Sequence, residues 1–349
     1  MKLLRQEDFI TTHQGKITGL FTLENKNGIV VQISNFGAKV ASLFTPDKDG
    51  NLADIVLGFA SVGEYIKGNP YFGAICGRYA NRIANGRFTL DGVEYTLPQN
   101  NGSNCLHGGV SGFHDKVWDV VKSDSSKLEL QYVSADGEEG FPGNLTVKVV
   151  YTLNDSDEFT IDYFAETDRA TVINLTSHSF FNLGGDGSGD VLSQLLEINA
   201  SRFTPCSDVQ IPTGELRPVA GTPFDFTVAT AIGARIDVDD EQLRFGAGYD
   251  HNFVLDNKPG EVAFAARAFD VVSGRCMEIY TDTPGLQLYT GNWLDGNDAG
   301  KGNVYHKRNA FCLETQNFPD APNQSNFPNS VLQPGETYRQ TTIHKFFVK

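Results

Sequence analysis

Two titratable residues occupy strand-like positions that would ordinarily carry apolar side chains. In "TVINLTSHSFFNL", residues 171–183, alternate positions fall on opposite faces of an extended chain. Ile173, Leu175, Ser177, Ser179, Phe181 and Leu183 form a face with apolar ends that suits a core. The other face reads Asn174, Thr176, His178, Phe180 and Asn182, an imidazole among hydrogen-bonding groups with one aromatic ring. In "AFCLETQNF", Phe311, Leu313 and Thr315 oppose Cys312, Glu314 and Gln316. In "GLQLYTGNW", Gln287, Tyr289 and Trp293 oppose Leu286, Leu288 and Thr290. A carboxylate with a reference pKa of ~4.3 accepts protons at neutral pH, and an imidazole at ~6.5 can give one and take it back. Amides, a carboxylate and rings on one face also suit a sugar, whose hydroxyls need paired hydrogen bonds and whose C–H face stacks on aromatics.

Further polar candidates lie elsewhere in the chain. Asn81 and Arg82 sit in "GRYANRIANGRF" on a segment entering a hairpin, His107 in "NNGSNCLHGG" beside two glycines, and Asp250 in "GYDHNF". Each has an ordinary alternative. Glu314 could lie on a solvated strand face, His178 could be satisfied by Thr176 or Asn174, and His107 and Asp250 could be turn residues. Arg82 could be a surface charge, and His251, which alternates away from Asp250, is structural or exposed.

The elements that must position these groups are strands. Asn27-Gly28, Asn85-Gly86 and Asp91-Gly92 are strong hairpin signals. Alternating runs follow in "KLELQYV", "NLTVKVVYTL", "EFTIDYFAET", "DHNFVLD", "VAFAARAFD", "CMEIYTD", "LQLYTGNWL" and "RNAFCLETQ", separated by Gly, Asn, Asp and Pro. Helical periodicity is confined to "SVGEYIKG" and "GDVLSQLLE". The pattern predicts an all-β, antiparallel sandwich or barrel, one continuous domain over residues 1–349.

Composition excludes several functions. The 349 residues carry a net charge of −15 without a basic stripe, which argues against nucleic acid. No run approaches the ~18–20 apolar residues of a membrane span, and Arg5-Gln6-Glu7-Asp8 interrupts any signal-like start, so a cytoplasmic location is expected. Five cysteines, an odd number without a CxxC pair, read as free buried thiols. "GGDGSGD" ends on Asp190 and fails the dinucleotide pattern. "GNDAGKGN" lacks both the spacing and the Ser or Thr of a phosphate loop; both read as surface loops. With no HExxH, GxSxG or zinc spacing, neither a metal nor a cofactor is expected.

The segments "GRYANRIANGRF", "CLHGG", "NLTSHSFFNL", "GYDHNFVL", "GLQLYTGNWLDG" and "CLETQNFPDAPNQSNFPNSVLQPGETY" resemble, in order, those of the aldose 1-epimerases, or galactose mutarotases. The resemblance implies a large antiparallel β-sandwich, the supersandwich, and cofactor-free interconversion of the α and β anomers of free aldohexoses such as galactose and glucose. It implies His178 as general acid and Glu314 as general base, with Asn81, Arg82, His107, Asp250 and Gln287 holding sugar hydroxyls. Tyr79 and Trp293 stand at positions where variation within the family is expected. The expected partner is a small-molecule sugar, with no nucleic acid or membrane, and a monomer or homodimer. An ionised Glu314 with a protonated His178 would give a bell-shaped pH profile, rising as the carboxylate ionises and falling as the imidazole loses its proton. Three rivals remain: a non-catalytic carbohydrate-binding module, a glycoside hydrolase using Glu314 with Asp250, and a hexose-phosphate epimerase, which would need more cations than Arg82.

Overall fold

The computed structural model describes residues 2–258 and 260–349. Its largest element is a nine-stranded sheet. The strand order is Asp119–Ser123, Lys127–Ser134, Leu145–Leu153, Glu158–Thr167, Tyr338–Val348, Arg275–Thr281, Ala263–Phe269, Leu195–Ile198 and Thr230–Ala231, every pair antiparallel. A five-stranded sheet runs Arg217–Pro218, Arg202–Thr204, Asp250–Val254, Gly285–Tyr289 and Cys312–Gln316. A four-stranded sheet holds Leu20–Glu24, Val30–Ser34, Lys39–Pro46 and Leu52–Asp54. One apolar cluster joins all three, with Ile161 and Ile279 from the largest sheet, Leu286 and Leu313 from the second, and Ile33 and Leu43 from the third. Sheets that bury one face against a shared core form a sandwich, and the chain is all-β as expected.

Local chemistry accounts for the main elements. Asp91 and Gly92 both take positive φ, 51° and 78°, and join Arg87–Leu90 to Val93–Thr96 in the kind of turn that matches strand twist. Asn85 and Gly86 also turn the chain with positive φ, but they join strands of different sheets: Arg82–Ile83 pairs with Cys105–Leu106, not with the next hairpin. Of the two expected helical segments, Val62–Lys67 is a helix, with Ser61 Oγ accepting from Glu64 N. "GDVLSQLLE" is not. It turns and then enters the strand Leu195–Ile198, where Leu196 and Ile198 face the core. The sequence reading missed a second short helix, Glu241–Gly246, capped by Asp240. No helix among the described residues is long and apolar enough to cross a membrane.

The five-stranded sheet has two chemically distinct faces. Register places Asn252 opposite Gln287 and Gln287 opposite Glu314, with Asp250, Tyr289 and Cys312 one pair further along. Cross-strand partners share a face. Phe253, Leu286, Leu288 and Leu313 therefore line the core, while the polar row forms the opposite face.

Candidate active site

The polar face forms part of a cleft of about 580 Å³. Glu314 and Asp250 line it from the five-stranded sheet. His178 comes from the strand Thr176–His178, which pairs with Ala74–Cys76. His178 Nε2 and Glu314 Oε1 lie 3.6 Å apart, both residues are buried, and Glu314 Oε2 has no hydrogen-bond partner within the chain. That gap is too long for a direct hydrogen bond, leaving both groups available to a third molecule. The imidazole is stacked between Phe180, with centroids 4.9 Å apart, and Tyr71, at 5.8 Å, which fixes its plane. Its Nδ1 lies 3.5 Å from Cys312 Sγ, a weak partner.

Burial decides how the pair holds its protons. Desolvation pushes the Glu314 carboxyl well above the usual carboxylate range, with a further push from Asp250 partly opposed by Arg82. Desolvation likewise pulls His178 down to about 4. This reverses the order expected from ordinary values. In the sugar-free pocket, the carboxyl keeps its proton after the imidazole has lost one.

Asn81, Arg82 and His107 form the facing wall. Asn81 and His107 both adopt left-handed backbone, φ 63° and 51°, at the edge of the Arg82–Ile83 and Cys105–Leu106 pair. Asn and His tolerate that region better than most residues. The Asn81 N–H donates to His107 Nδ1 at 3.1 Å, and the His107 N–H donates to Asn81 O at 3.0 Å. Burial holds His107 neutral, so with Nδ1 accepting, its proton sits on Nε2. His107 is therefore a hydrogen-bond donor. His107, His178 and Glu314 offer ligand atoms within 4.8 Å of one another, a separation that could suit a metal. The His107 tautomer opposes this, because a metal needs the lone pair that the Nε2 proton occupies. Behind this wall, the buried Lys39 ammonium donates to Pro70 O at 3.0 Å and to His114 O, which pins the loop carrying Tyr71.

The sequence matches the family model described as aldose 1-epimerase over residues 19–345. Galactose mutarotase from Sus scrofa is 48% identical over 319 residues, 91% of each chain. Aldose 1-epimerase from Escherichia coli K12 is 38% identical over 332 residues, 95% of each. The chain belongs to the aldose 1-epimerase family. Its fold is likewise similar to an aldose epimerase homologue from C. elegans, with TM-score 0.88 and 32% identity over 95% of this chain and 99% of that one. Galactose 1-epimerase from Lactobacillus acidophilus superposes with TM-score 0.84 at 28% identity, covering 97% of both chains.

In this chain, six of the residues singled out from the sequence line the cleft: Asn81, Arg82, His107, His178, Asp250 and Glu314. Gln287 does not. Its Nε2 donates to Asp250 Oδ1 at 2.7 Å, while its buried Oε1 has no hydrogen-bond partner within the chain. Asn174 and Asn182 correct a second expectation. Asn174 Nδ2 donates to Ala80 O and Asn317 O, and Asn182 Nδ2 to Gly189 O and Asn309 O. These asparagines bracket loops and do not form a polar sugar face. His251 is structural, packed on Phe224 and 3.5 Å from Cys206 Sγ. Trp293 is 61% exposed at the rim. Tyr71, Asn101, Asn104 and Gln210 also line the cleft; they lie in irregular loops where period-two alternation gives no signal.

Proposed function

We propose that His178 and Glu314 are the acid–base pair of mutarotation on free aldohexoses, with Asn81, Arg82, His107 and Asp250 holding sugar hydroxyls. The enzyme is an isomerase that interconverts the α and β anomers of aldoses. One observation carries the residue assignment: a buried imidazole and a buried carboxyl 3.6 Å apart, neither with a strong partner of its own, meet in a cleft rich in hydrogen-bonding groups.

The reaction moves two protons and breaks one bond. Glu314 takes the proton of the anomeric hydroxyl, the C1–O5 bond breaks with its electron pair leaving on O5, and His178 protonates O5. C1 becomes an aldehyde. Rotation about C1–C2 by roughly half a turn presents the other carbonyl face, and the two residues exchange roles as the ring closes. Ring opening turns a carboxylate and an imidazolium into a carboxylic acid and a neutral imidazole. Burial favours that discharged state, so the dry pocket assists the bond-breaking step. The pyranose must offset the cost of the charged pair through its own hydrogen bonds, and Arg82 lowers that cost by stabilising the carboxylate.

Two rivals lack support from this geometry. A glycoside hydrolase would need a second carboxylate free to act, yet Asp250 Oδ1 is held by Gln287 and Oδ2 by Gln210. A hexose-phosphate epimerase would need cations, and Arg82 is the one Lys or Arg lining the cleft among the described residues.

Polarimetry on freshly dissolved α-D-galactose and α-D-glucose tests the proposal. The purified chain should speed mutarotation of both, with the same rate in a chelator. Glu314→Gln should lower kcat by ~10²–10⁴-fold while sugar still binds, because the amide keeps shape and loses basicity. A variant that folds but binds no sugar would make Glu314 a ligand holder instead.

A further inference from the structure

Arg82 and Asp250 reach the cleft from different segments, and a neutral amide stands between them. Gln210 Oε1 accepts from Arg82 Nη2, and Gln210 Nε2 donates to Asp250 Oδ2 at 2.9 Å. Beyond each partner the chain of bonds continues: Arg82 Nε donates to Asn101 Oδ1 at 3.0 Å, and Asp250 Oδ1 accepts from Gln287 at 2.7 Å. The amide orientation follows from chemistry, since a guanidinium can only donate and a carboxylate can only accept. An amide offers both functions at one side-chain tip.

The loop that carries Gln210 is held firmly. Gln210 N donates to Ser207 O at 2.8 Å, and Ser207 N donates to Ile211 O at 2.9 Å. The buried Gln242 side chain brackets Cys206, accepting from its N–H at 2.7 Å and donating to its carbonyl at 2.9 Å. Asn104 Nδ2 donates to Val209 O at 3.3 Å. Gln210 itself has φ 60°, in the left-handed region that a residue with a Cβ adopts only at a cost. Glycine would remove that cost but also the bridge.

We propose that Gln210 is a positioning residue for the sugar, a spacer that keeps Arg82 and Asp250 apart and oriented toward substrate hydroxyls. This rests on the acid–base reading of the cleft. Opposite charges that met in this partly desolvated cleft would attract strongly. An ion pair formed that way would occupy the donors and acceptors that the sugar must use. The amide satisfies one edge of each charged group and leaves the pair unjoined.

The test uses Gln210→Met, which keeps length and removes both bonds, and Gln210→Glu, which keeps shape and the bond to Arg82 but sets a carboxylate against Asp250. Galactose affinity is read by intrinsic fluorescence, and kcat and KM by polarimetry. Gln210→Met should raise Kd and KM about 10-fold or more, with kcat within about 3-fold of wild type. Gln210→Glu should bind more weakly still at pH 8 and recover as the pH falls, because the protonated acid donates to Asp250 as the amide does; Gln210→Met should show no such recovery. If Gln210→Met does not fold, the pH response of Gln210→Glu decides alone. Wild-type affinity in both variants, or no recovery in Gln210→Glu, overturns the spacer role while leaving mutarotation intact. A wild-type chain without mutarotase activity overturns the acid–base reading and this assignment with it.

Discussion

At the scale of single residues, the proposed roles of His178 and Glu314 make catalysis depend on where one proton sits. Below about pH 4 both His178 and Glu314 are protonated, and no acceptor exists for the anomeric proton. As the pH rises, the first proton leaves and the pair holds one, the state that can both give and take. When the last proton leaves, above the ordinary carboxylate range because burial raises Glu314, the donor is gone. After subtraction of the spontaneous reaction, kcat/KM should therefore be a bell with its acid limb near pH 4. The two steps belong to the coupled pair, so the bell has the same form whichever atom carries the proton in the working state. With Glu314 as base and His178 as acid, residual activity of His178→Asn should keep an acid limb and lose the alkaline one, and that of Glu314→Gln should keep the alkaline limb and lose the acid one. An alkaline limb left unchanged in His178→Asn would overturn the assignment of the acid. His178→Asn should lower kcat by ~10²–10⁴-fold. His107→Asn removes the donor at Nε2, a position the shorter amide does not reach, and not an acid, and should instead raise KM by roughly 10-fold, the worth of about one hydrogen bond. Alternation exposed His178 and Glu314 because both lie on regular strands. It also placed Gln287 on the correct face, but parity cannot distinguish a residue facing the cleft from one supporting a neighbour on the same face.

At the scale of elements, the site depends on close backbone approaches. Gly108 has φ 84°, and a Cβ there would fall 2.0 Å from Gly77 O. Gly92 has a similar φ of 78° with nothing within 4 Å of its Cβ position. Both substitutions by Ala incur backbone strain of ~1–3 kcal/mol, but only Gly108→Ala adds a collision, next to His107. Thermal unfolding should show a larger drop in Tm for Gly108→Ala, and only that variant should raise KM. Equal drops with unchanged KM would place the close approach outside the site. The same scale explains what pattern reading could not find. Tyr338–Val348, a central strand of the large sheet, sends Gln340, Thr342 and His344 inward with Phe346, while Ile343 faces outward. Polar residues stand on both of its faces, with Arg339, Thr341 and Lys345 outward, so alternation conceals it. In "GDVLSQLLE" the apolar spacing fits a helix, but pairing of Leu195–Ile198 with Ala263–Phe269 overrides that local preference.

At the scale of the whole molecule, a net charge of −15 surrounds a cleft with one cation, Arg82, and three acids, Asp208, Asp250 and Glu314, among the described residues. Such a field steers charged ligands, and its reach falls from about 30 Å at 0.01 M ionic strength to ~3 Å at 1 M. A free aldohexose has no net charge, so the long-range field does no work on it during approach. Its capture depends on hydrogen bonds inside the cleft, where the facing groups are buried or pinned. A sugar phosphate would approach against the field and then meet a single guanidinium, Arg82, among the described residues lining the cleft. kcat/KM for galactose should therefore change less than about 2-fold between 20 and 500 mM NaCl. Glucose 6-phosphate should be a poor substrate at low salt and improve as screening weakens the repulsion. A steep loss of galactose turnover with salt, or a sugar phosphate that outperforms galactose at 20 mM, would mean that a charged group dominates recognition, and the free sugar would then be the wrong substrate class.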